Sequence, residues 1–230
     1  RIERLAIGSL PHALHHGVKQ IESEFFSFLD DDDLYLPGAL SARVGKMRSA
    51  PELDVVVANG FWAGGEKETP VFDDDFAIGP DPLAQLFDRN WLASCGGLYR
   101  ASTIGPEYFR EDAKYFEWTM TAFLLALDRK IGYVPDRTFK IMDTPDSLSK
   151  SSGYVLGYPE IMRKMLAFDV PNPIRAIIRR RFARGLHTAS EQQLKANRVA
   201  AAWRYHLRSL KVRDGLRYLP YTWHLLMACV

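Results

Sequence analysis

Four consecutive aspartates, Asp30-Asp31-Asp32-Asp33, follow directly on the apolar run Phe25-Phe26-Ser27-Phe28-Leu29. Adjacent carboxylates beside an apolar segment cannot all stay ionised at no cost. Each raises the pKa of its neighbours, and burial disfavours the charged form. A hard divalent cation removes the conflict. Carboxylates at i and i+2 beyond a strand end can converge on one Mg²⁺ or Mn²⁺ and leave coordination positions for phosphate oxygens. A solvated acidic turn is the alternative reading of any such run. The adjoining strand counts for the metal, since ligands of open α/β sheets bind beyond the carboxyl ends of strands. On the pattern alone both readings stay open.

Other residues invite weaker readings. His12 and His16 share a helix face, with His15 between them, but no nearby Cys or Glu completes a zinc pattern. Asp73-Asp74-Asp75 lies in a polar stretch with no strand before it and reads as a solvated loop. Gly96-Gly97 allows a close backbone approach to a substrate or a bulge. Cys95 has no sequence partner for nucleophilic work and reads as a small packed side chain.

The elements that must position these residues alternate. Residues 10–21 predict a short helix with Ala13, Leu14, Val18 and Ile21 on one side. A strand over 25–29 follows, then a helix from Pro37 with Leu40, Val44 and Met47 as its apolar face. Asp54 to Ala58 predicts a buried strand, and residues 59–82 a long loop with a hairpin near Val71-Phe72. Helices are expected over Pro82–Asn90 and Phe116–Arg129, with a short strand Ile131–Val134 closing before Pro135. That alternation argues an α/β domain. Beyond a boundary at 145–158 the pattern turns helical: Pro159–Phe168, Asn172–Arg184 and Ser190–Leu210.

The chain has 230 residues, enough for one large domain or a domain and a half. With 47% hydrophobic and 25% charged residues it excludes disordered, collagen-like and disulfide-scaffold classes. Two cysteines, Cys95 and Cys229, fit a reducing compartment, and no apolar run reaches membrane-span length. The net charge of +2 conceals a division. Residues 171–217 hold twelve of the thirty Lys and Arg, against Glu191 and Asp214 alone. A basic tail of that kind suits the solvated face of packed helices, an anionic membrane surface with Trp203, Tyr205, Leu207, Leu210 and Leu216 as its apolar side, or nucleic acid. Nucleic acid ranks last, because no recognised module accompanies the charge.

Phe28-Leu29-Asp30-Asp31-Asp32-Asp33-Leu34-Tyr35-Leu36-Pro37 resembles the FLDxDDxWxP segment of family 2 glycosyltransferases, which have the GT-A fold. Ala13-Leu14-His15-His16-Gly17-Val18 with Glu24-Phe25-Phe26 is similar to that family's ARNxGL and GEYI segments. Ser94 to Arg100 resembles its acceptor-side segment. Phe109-Arg110-Glu111-Asp112, Tyr115-Phe116-Glu117-Trp118 and Lys130 to Pro135 resemble FDED, YEDxxLWLRL and KIGYVP. The likeness covers roughly residues 10–140 and rests on the order and spacing of its segments.

The resemblance implies a GT-A-like, Rossmann-related mixed sheet flanked by helices over residues 1–150, preceded in the family by a further strand segment. A basic helical extension over 151–230 would follow. It implies transfer of a sugar from a nucleotide-diphosphate-sugar donor to a hydroxyl of a saccharide or lipid-linked acceptor, with inversion, as in polysaccharide biosynthesis. Asp30 and Asp32 would hold Mn²⁺ or Mg²⁺; Asp31, His15 and Arg100 would line the donor side. Cys95, Gly96, Gly97 and Trp118 would line the acceptor side. Glu117 would be the base, with Asp112 as runner-up. Two positions differ: Leu14-His15 stands where the family has Arg-Asn, and Trp118 where it has Asp. The implied location is cytoplasmic, peripheral at the inner face of a membrane. Another metal-dependent nucleotidyl-transfer enzyme, or a glycosyltransferase-like binding module, would use the same carboxylates.

Overall fold

The computed structural model describes residues 3–64, 67–142 and 151–228. The chain divides into two compact units, residues 1–147 and 148–230. Cys229 and part of the expected boundary fall outside the described residues.

The first unit is a mixed α/β layer. Its elements are α1 (Leu10–Val18), β1 (Phe25–Ser27), β2 (Leu34–Tyr35), α2 (Ala39–Ser49), β3 (Val55–Gly64), β4 (Lys67–Pro70), α3 (Pro82–Asp88), β5 (Gly97–Arg100), α4 (Glu117–Asp128) and β6 (Ile131–Met142). The sheet runs β1-β5-β3-β6-β2, with β4 paired to β3. Only β3 and β6 are parallel; the other ladders are antiparallel. Val55, Val56, Val57 and Ala58 are wholly buried, as a central strand covered on both faces requires.

This order does one thing for the aspartates. β1 lies at one edge of the sheet and β2 at the other. The six residues between them, 28–33, therefore cross from edge to edge past the ends of β5, β3 and β6.

Three expectations for this unit change. The strand at 55–58 continues to Gly64 and pairs with β4, so the loop expected over 59–82 begins with a β-hairpin, placed earlier than Val71-Phe72. The strand at 131–134 runs on through Pro135 to Met142. A bulge makes that possible: Ala58 pairs with Val134 and Asn59 with Arg137, so Pro135, which has no N–H to give, sits in the irregularity. In α2 the buried positions are Ala39, Arg43 and Met47, while Leu40 is exposed.

The second unit is helical: α5 (Ser152–Met165), α6 (Asn172–Lys195), α7 (Val199–Leu210), a 3₁₀ turn at Gly215–Tyr218 and α8 (Tyr221–Met227). The break expected between Arg184 and Ser190 is absent, and α6 runs through it. Gly185 serves packing there, since a Cβ would lie 2.8 Å from the Tyr158 ring and 3.3 Å from the Pro159 backbone nitrogen. The helix ends later, where Asn197 takes a left-handed conformation at φ 58°. Pro159, expected to open α5, lies inside it.

A buried imidazole, His206, and a half-buried one, His187, join the last helices. The His206 Nε2 and the Thr222 hydroxyl of α8 share a 2.8 Å hydrogen bond, and His187 stacks on Tyr218 with centroids 4.1 Å apart. Burial holds both histidines below their ordinary pKa, and each has a buried Nδ1 without a partner. A depressed folded-state value means that protonation favours unfolding. The stability these groups contribute is complete above about pH 6.5 and is lost as pH falls through that value toward the lower folded-state one. Amide protection in α6–α8 of the whole chain, corrected for intrinsic exchange, is therefore expected to weaken between pH 7.5 and pH 5.5. Protection that stays constant over that range refutes the coupling.

Candidate functional site

The aspartates are not equivalent. Asp33 is buried, and its carboxylate accepts from the Ser94 hydroxyl at 3.1 Å and from the Met142 N–H at 3.1 Å. The Cys95 thiol also donates to it. Its own N–H donates to the Asp30 carbonyl at 3.1 Å, closing a turn around the run. Asp33 thus ties the crossing loop to the segment before β5 and to the end of β6. Burial outweighs these donors and raises its pKa.

Asp30 is half-buried, while Asp31 and Asp32 are exposed. Burial pushes Asp30 up to about 6, the charges of Asp33, Asp32 and Asp31 add to the rise, and the Ser94 hydroxyl opposes it. Among the described residues no Lys or Arg forms an ion pair with Asp30, Asp31, Asp32 or Asp33. The turn keeps Asp30 and Asp32 within electrostatic reach of the buried anchor Asp33.

A second carboxylate arrives from another element. Glu117 opens α4, where a helix N-terminus favours an anion. Its Oε1 accepts from the Tyr115 N–H at 3.1 Å, and Tyr115 itself holds a positive φ of 71°. That strained residue is fixed just before the helix, a placement common at functional sites. Burial raises the Glu117 pKa against these donors, and the charge of Asp30 raises it further. The two carboxylates are thus electrostatic neighbours although 87 positions separate them in sequence. The next residue on α4, Trp118, packs on Phe28 with centroids 5.5 Å apart. Phe28 in turn lies 5.0 Å from Phe109 and 5.8 Å from Tyr99. An aromatic cluster under the loop therefore sets the spacing between the start of α4 and the aspartates.

No family model matches the chain, and no curated protein matches it. The site stands on its own geometry.

The other expected site residues divide. Cys95 and Gly96-Gly97 do lie at this end of the sheet, because Ser27 pairs with Leu98 and β5 begins where β1 runs out. They are buried, however. A Cβ on Gly97 would fall 2.4 Å from the Tyr99 hydroxyl, and one on Gly96 3.2 Å from the Phe139 ring. These glycines make room for aromatic packing. Burial and the Asp33 charge push the Cys95 thiol up, which leaves it a weak nucleophile.

Arg100 sits at the far end of β5, three residues beyond Gly97 and on the order of 10 Å from it at strand rise. Its guanidinium donates to the Leu53 carbonyl at 3.0 Å and covers the Phe25 ring. The structure does not bring it to the aspartates. His15 donates through Nδ1 to the carbonyls of Pro106 at 2.9 Å and Phe109 at 3.1 Å, which spends that nitrogen on holding α1 in place. Asp112 is exposed in a two-point ion pair with Arg110, at 2.9 and 3.1 Å. The three early histidines have separate partners, His12 with Ser9 and His16 with Glu3. In the second acidic run Asp73 pairs with Arg89 at 2.9 Å and Asp74 with Arg137. An open groove along α1, lined by Leu5, Ile7, Ala13 and His16 among others, includes none of the carboxylates of the site.

Arg43 is a residue that sequence reasoning passes over. It is fully buried without a carboxylate partner. Its guanidinium donates to the carbonyls of Ala39 at 3.0 Å and Cys95 at 2.9 Å, and lies 4.6 Å from the Tyr35 ring centroid. It fixes the segment that hydrogen-bonds Asp33. Ser94, shared between Asp33 and Asp30, is the other omission. No periodicity marks either one.

Proposed function

We propose that this chain is a metal-dependent glycosyltransferase of GT-A type, acting on a nucleotide-diphosphate-sugar and a hydroxyl acceptor with inversion. The observation that carries the reading is the Phe28–Trp118 contact, 5.5 Å between ring centroids, which sets the start of α4 with its half-buried Glu117 beside the loop that carries Asp30. The resemblance of residues 10–140 to family 2 glycosyltransferases assigns the same two places to metal and base. Fold class alone would not choose the chemistry.

Among the described residues no three His, Cys, Asp or Glu side chains gather into a complete metal set. On this reading the cation is one shared with a bound diphosphate. Asp30 and Asp32 would hold it, and Mn²⁺ or Mg²⁺ so placed would supply charge neutralisation on the diphosphate. The remaining chemistry belongs to the chain. Glu117 accepts the proton of the acceptor hydroxyl as that oxygen bonds to the anomeric carbon, and the bond from that carbon to the nucleoside diphosphate breaks. One base and one displacement give inversion. The raised pKa of Glu117 makes it a stronger base while the helix N-terminus keeps it ionised. The Phe28–Trp118 contact ties the first turn of α4, and with it the base, to the loop that carries the aspartates.

The test is incubation of the chain with Mn²⁺ and a panel of sugar nucleotides. Metal-dependent release of nucleoside diphosphate is expected, and Asp32→Ala should weaken Mn²⁺-dependent nucleoside-diphosphate binding by at least about tenfold. Pyrophosphate release from a nucleoside triphosphate, with no turnover of any sugar nucleotide, overturns this reading in favour of nucleotidyl transfer.

A further inference from the structure

The C-terminal turn of the second unit is bound on one side only. The inner side of α8 is tied down by the His206–Thr222 hydrogen bond, by Tyr221 packed edge-on against His187 at 4.8 Å and His206 at 5.5 Å, and by fully buried Leu225. The outer side carries Leu219, Trp223, Leu226 and Met227, spaced i, i+4, i+7 and i+8 and hence on one stripe. Trp223 is 69% exposed, Met227 58% and Leu219 55%; Leu216 on the preceding 3₁₀ turn adds to the patch at 64%. Large apolar side chains clustered on a surface mark a binding face.

Charge says what covers it. From Arg198 to Ala228 the sequence holds Arg198, Arg204, Arg208, Lys211, Arg213 and Arg217, against Asp214 as its one acid. Among the described residues Arg208, Lys211, Arg213 and Arg217 make no salt bridge. Arg213 and Lys211 are exposed just before the apolar stripe. A tryptophan and long aliphatic side chains together with the exposed cations Lys211 and Arg213 match the acyl–headgroup boundary of an anionic bilayer, which takes both at once. A protein partner would need carboxylates placed against each cation, and a neutral bilayer would leave them unused.

We infer that the outer face of Leu216–Met227, with Lys211 and Arg213, is a docking surface for an anionic lipid bilayer. The surface agrees in part with the one the sequence suggests. Of the expected apolar side, Leu207 and Leu216 are exposed while Trp203, Tyr205 and Leu210 are half-buried, and further exposed apolar side chains follow at Leu219, Trp223, Leu226 and Met227. No helix among the described residues is long and apolar enough to cross a membrane, so the contact is interfacial. It stands independently of glycosyl transfer.

Sedimentation of the whole chain with phosphatidylcholine vesicles, with and without phosphatidylserine, tests it. Binding to the anionic vesicles is expected at least about tenfold above the neutral ones, with loss in high salt. Leu219→Ser/Trp223→Ser and Lys211→Glu/Arg213→Glu should each reduce it by about tenfold or more while circular dichroism stays unchanged. Both double variants alter outward-facing positions. Equal binding to both vesicle types, no binding to either, or full binding by a folded Leu219→Ser/Trp223→Ser chain overturns the inference. So does a concentration-dependent dimer in sedimentation velocity that this variant abolishes without any lipid effect.

Discussion

Glu117→Gln is expected to lower sugar transfer by about 10²- to 10⁴-fold, the usual worth of a positioned general base. Mn²⁺-dependent binding of nucleoside diphosphate should stay within about twofold, since Glu117 belongs to a different element from Asp30 and Asp32. The substitution is close to isosteric and keeps an oxygen to accept from the Tyr115 N–H. It also removes a carboxylate whose ionised form is disfavoured by burial and by Asp30. Thermal stability should therefore hold or rise, which separates lost chemistry from lost structure. Steady-state turnover and calorimetric titration of the same preparation give both readouts. Asp112 offers the contrast: its carboxylate is engaged by Arg110 on an exposed loop, and Asp112→Asn should leave turnover within about threefold. Unchanged transfer by Glu117→Gln would remove the base from this helix altogether.

Why these residues meet was only partly legible in the sequence. Val55 to Ala58 announced a central strand because four small apolar residues in a row suit only a strand covered on both faces. The helices at 82–88 and 117–128 announced themselves by period. What stayed hidden depends on contacts distant in sequence. Nothing in a run of four aspartates says which one is buried; Ser94 and the Met142 N–H decide it, and they come from elements 61 and 109 positions away. Nothing in the sequence singles out Arg43, and the carbonyls of residues 39 and 95 are what account for its burial. Arg100 is expected in the site because the segment from Ser94 to Arg100 resembles a family segment. A strand at full extension carries it away instead. The helix expected to end at Arg184 runs on instead, with Gly185 packed against Tyr158 and Pro159 of α5. In each case local propensity was overruled by a partner that the local window could not contain.

Asp30 and Asp33 give the second large prediction, because two carboxylates of one run should respond in opposite directions. Asp30 has a folded-state value of about 6 against an ordinary 3.8. A raised value means the protonated form is favoured by folding. That stability is present below the ordinary value and is lost as pH rises through about 6. At pH 7.5 the ionised carboxylate would cost about 3 kcal/mol on the full difference, which solvent screening at a partly exposed group cuts to about 1–2 kcal/mol. Asp30→Asn should accordingly stabilise the metal-free chain by about 1–2 kcal/mol at pH 7.5, and by almost nothing at pH 4. The same substitution should abolish the gain in melting temperature that Mn²⁺ with nucleoside diphosphate gives the unsubstituted chain. Asp33→Ala should do the reverse, destabilising by about 1–3 kcal/mol, because the Ser94 hydroxyl and the Met142 N–H lose their buried acceptor. Denaturant melts of the two variants at both pH values decide the matter. Asp30 keeps a charge that folding disfavours, a pattern expected where a cation-dependent ligand recovers that cost on binding. If Asp30→Asn destabilises at pH 7.5, the carboxylate is already compensated within the fold, and the case for a shared cation falls with it.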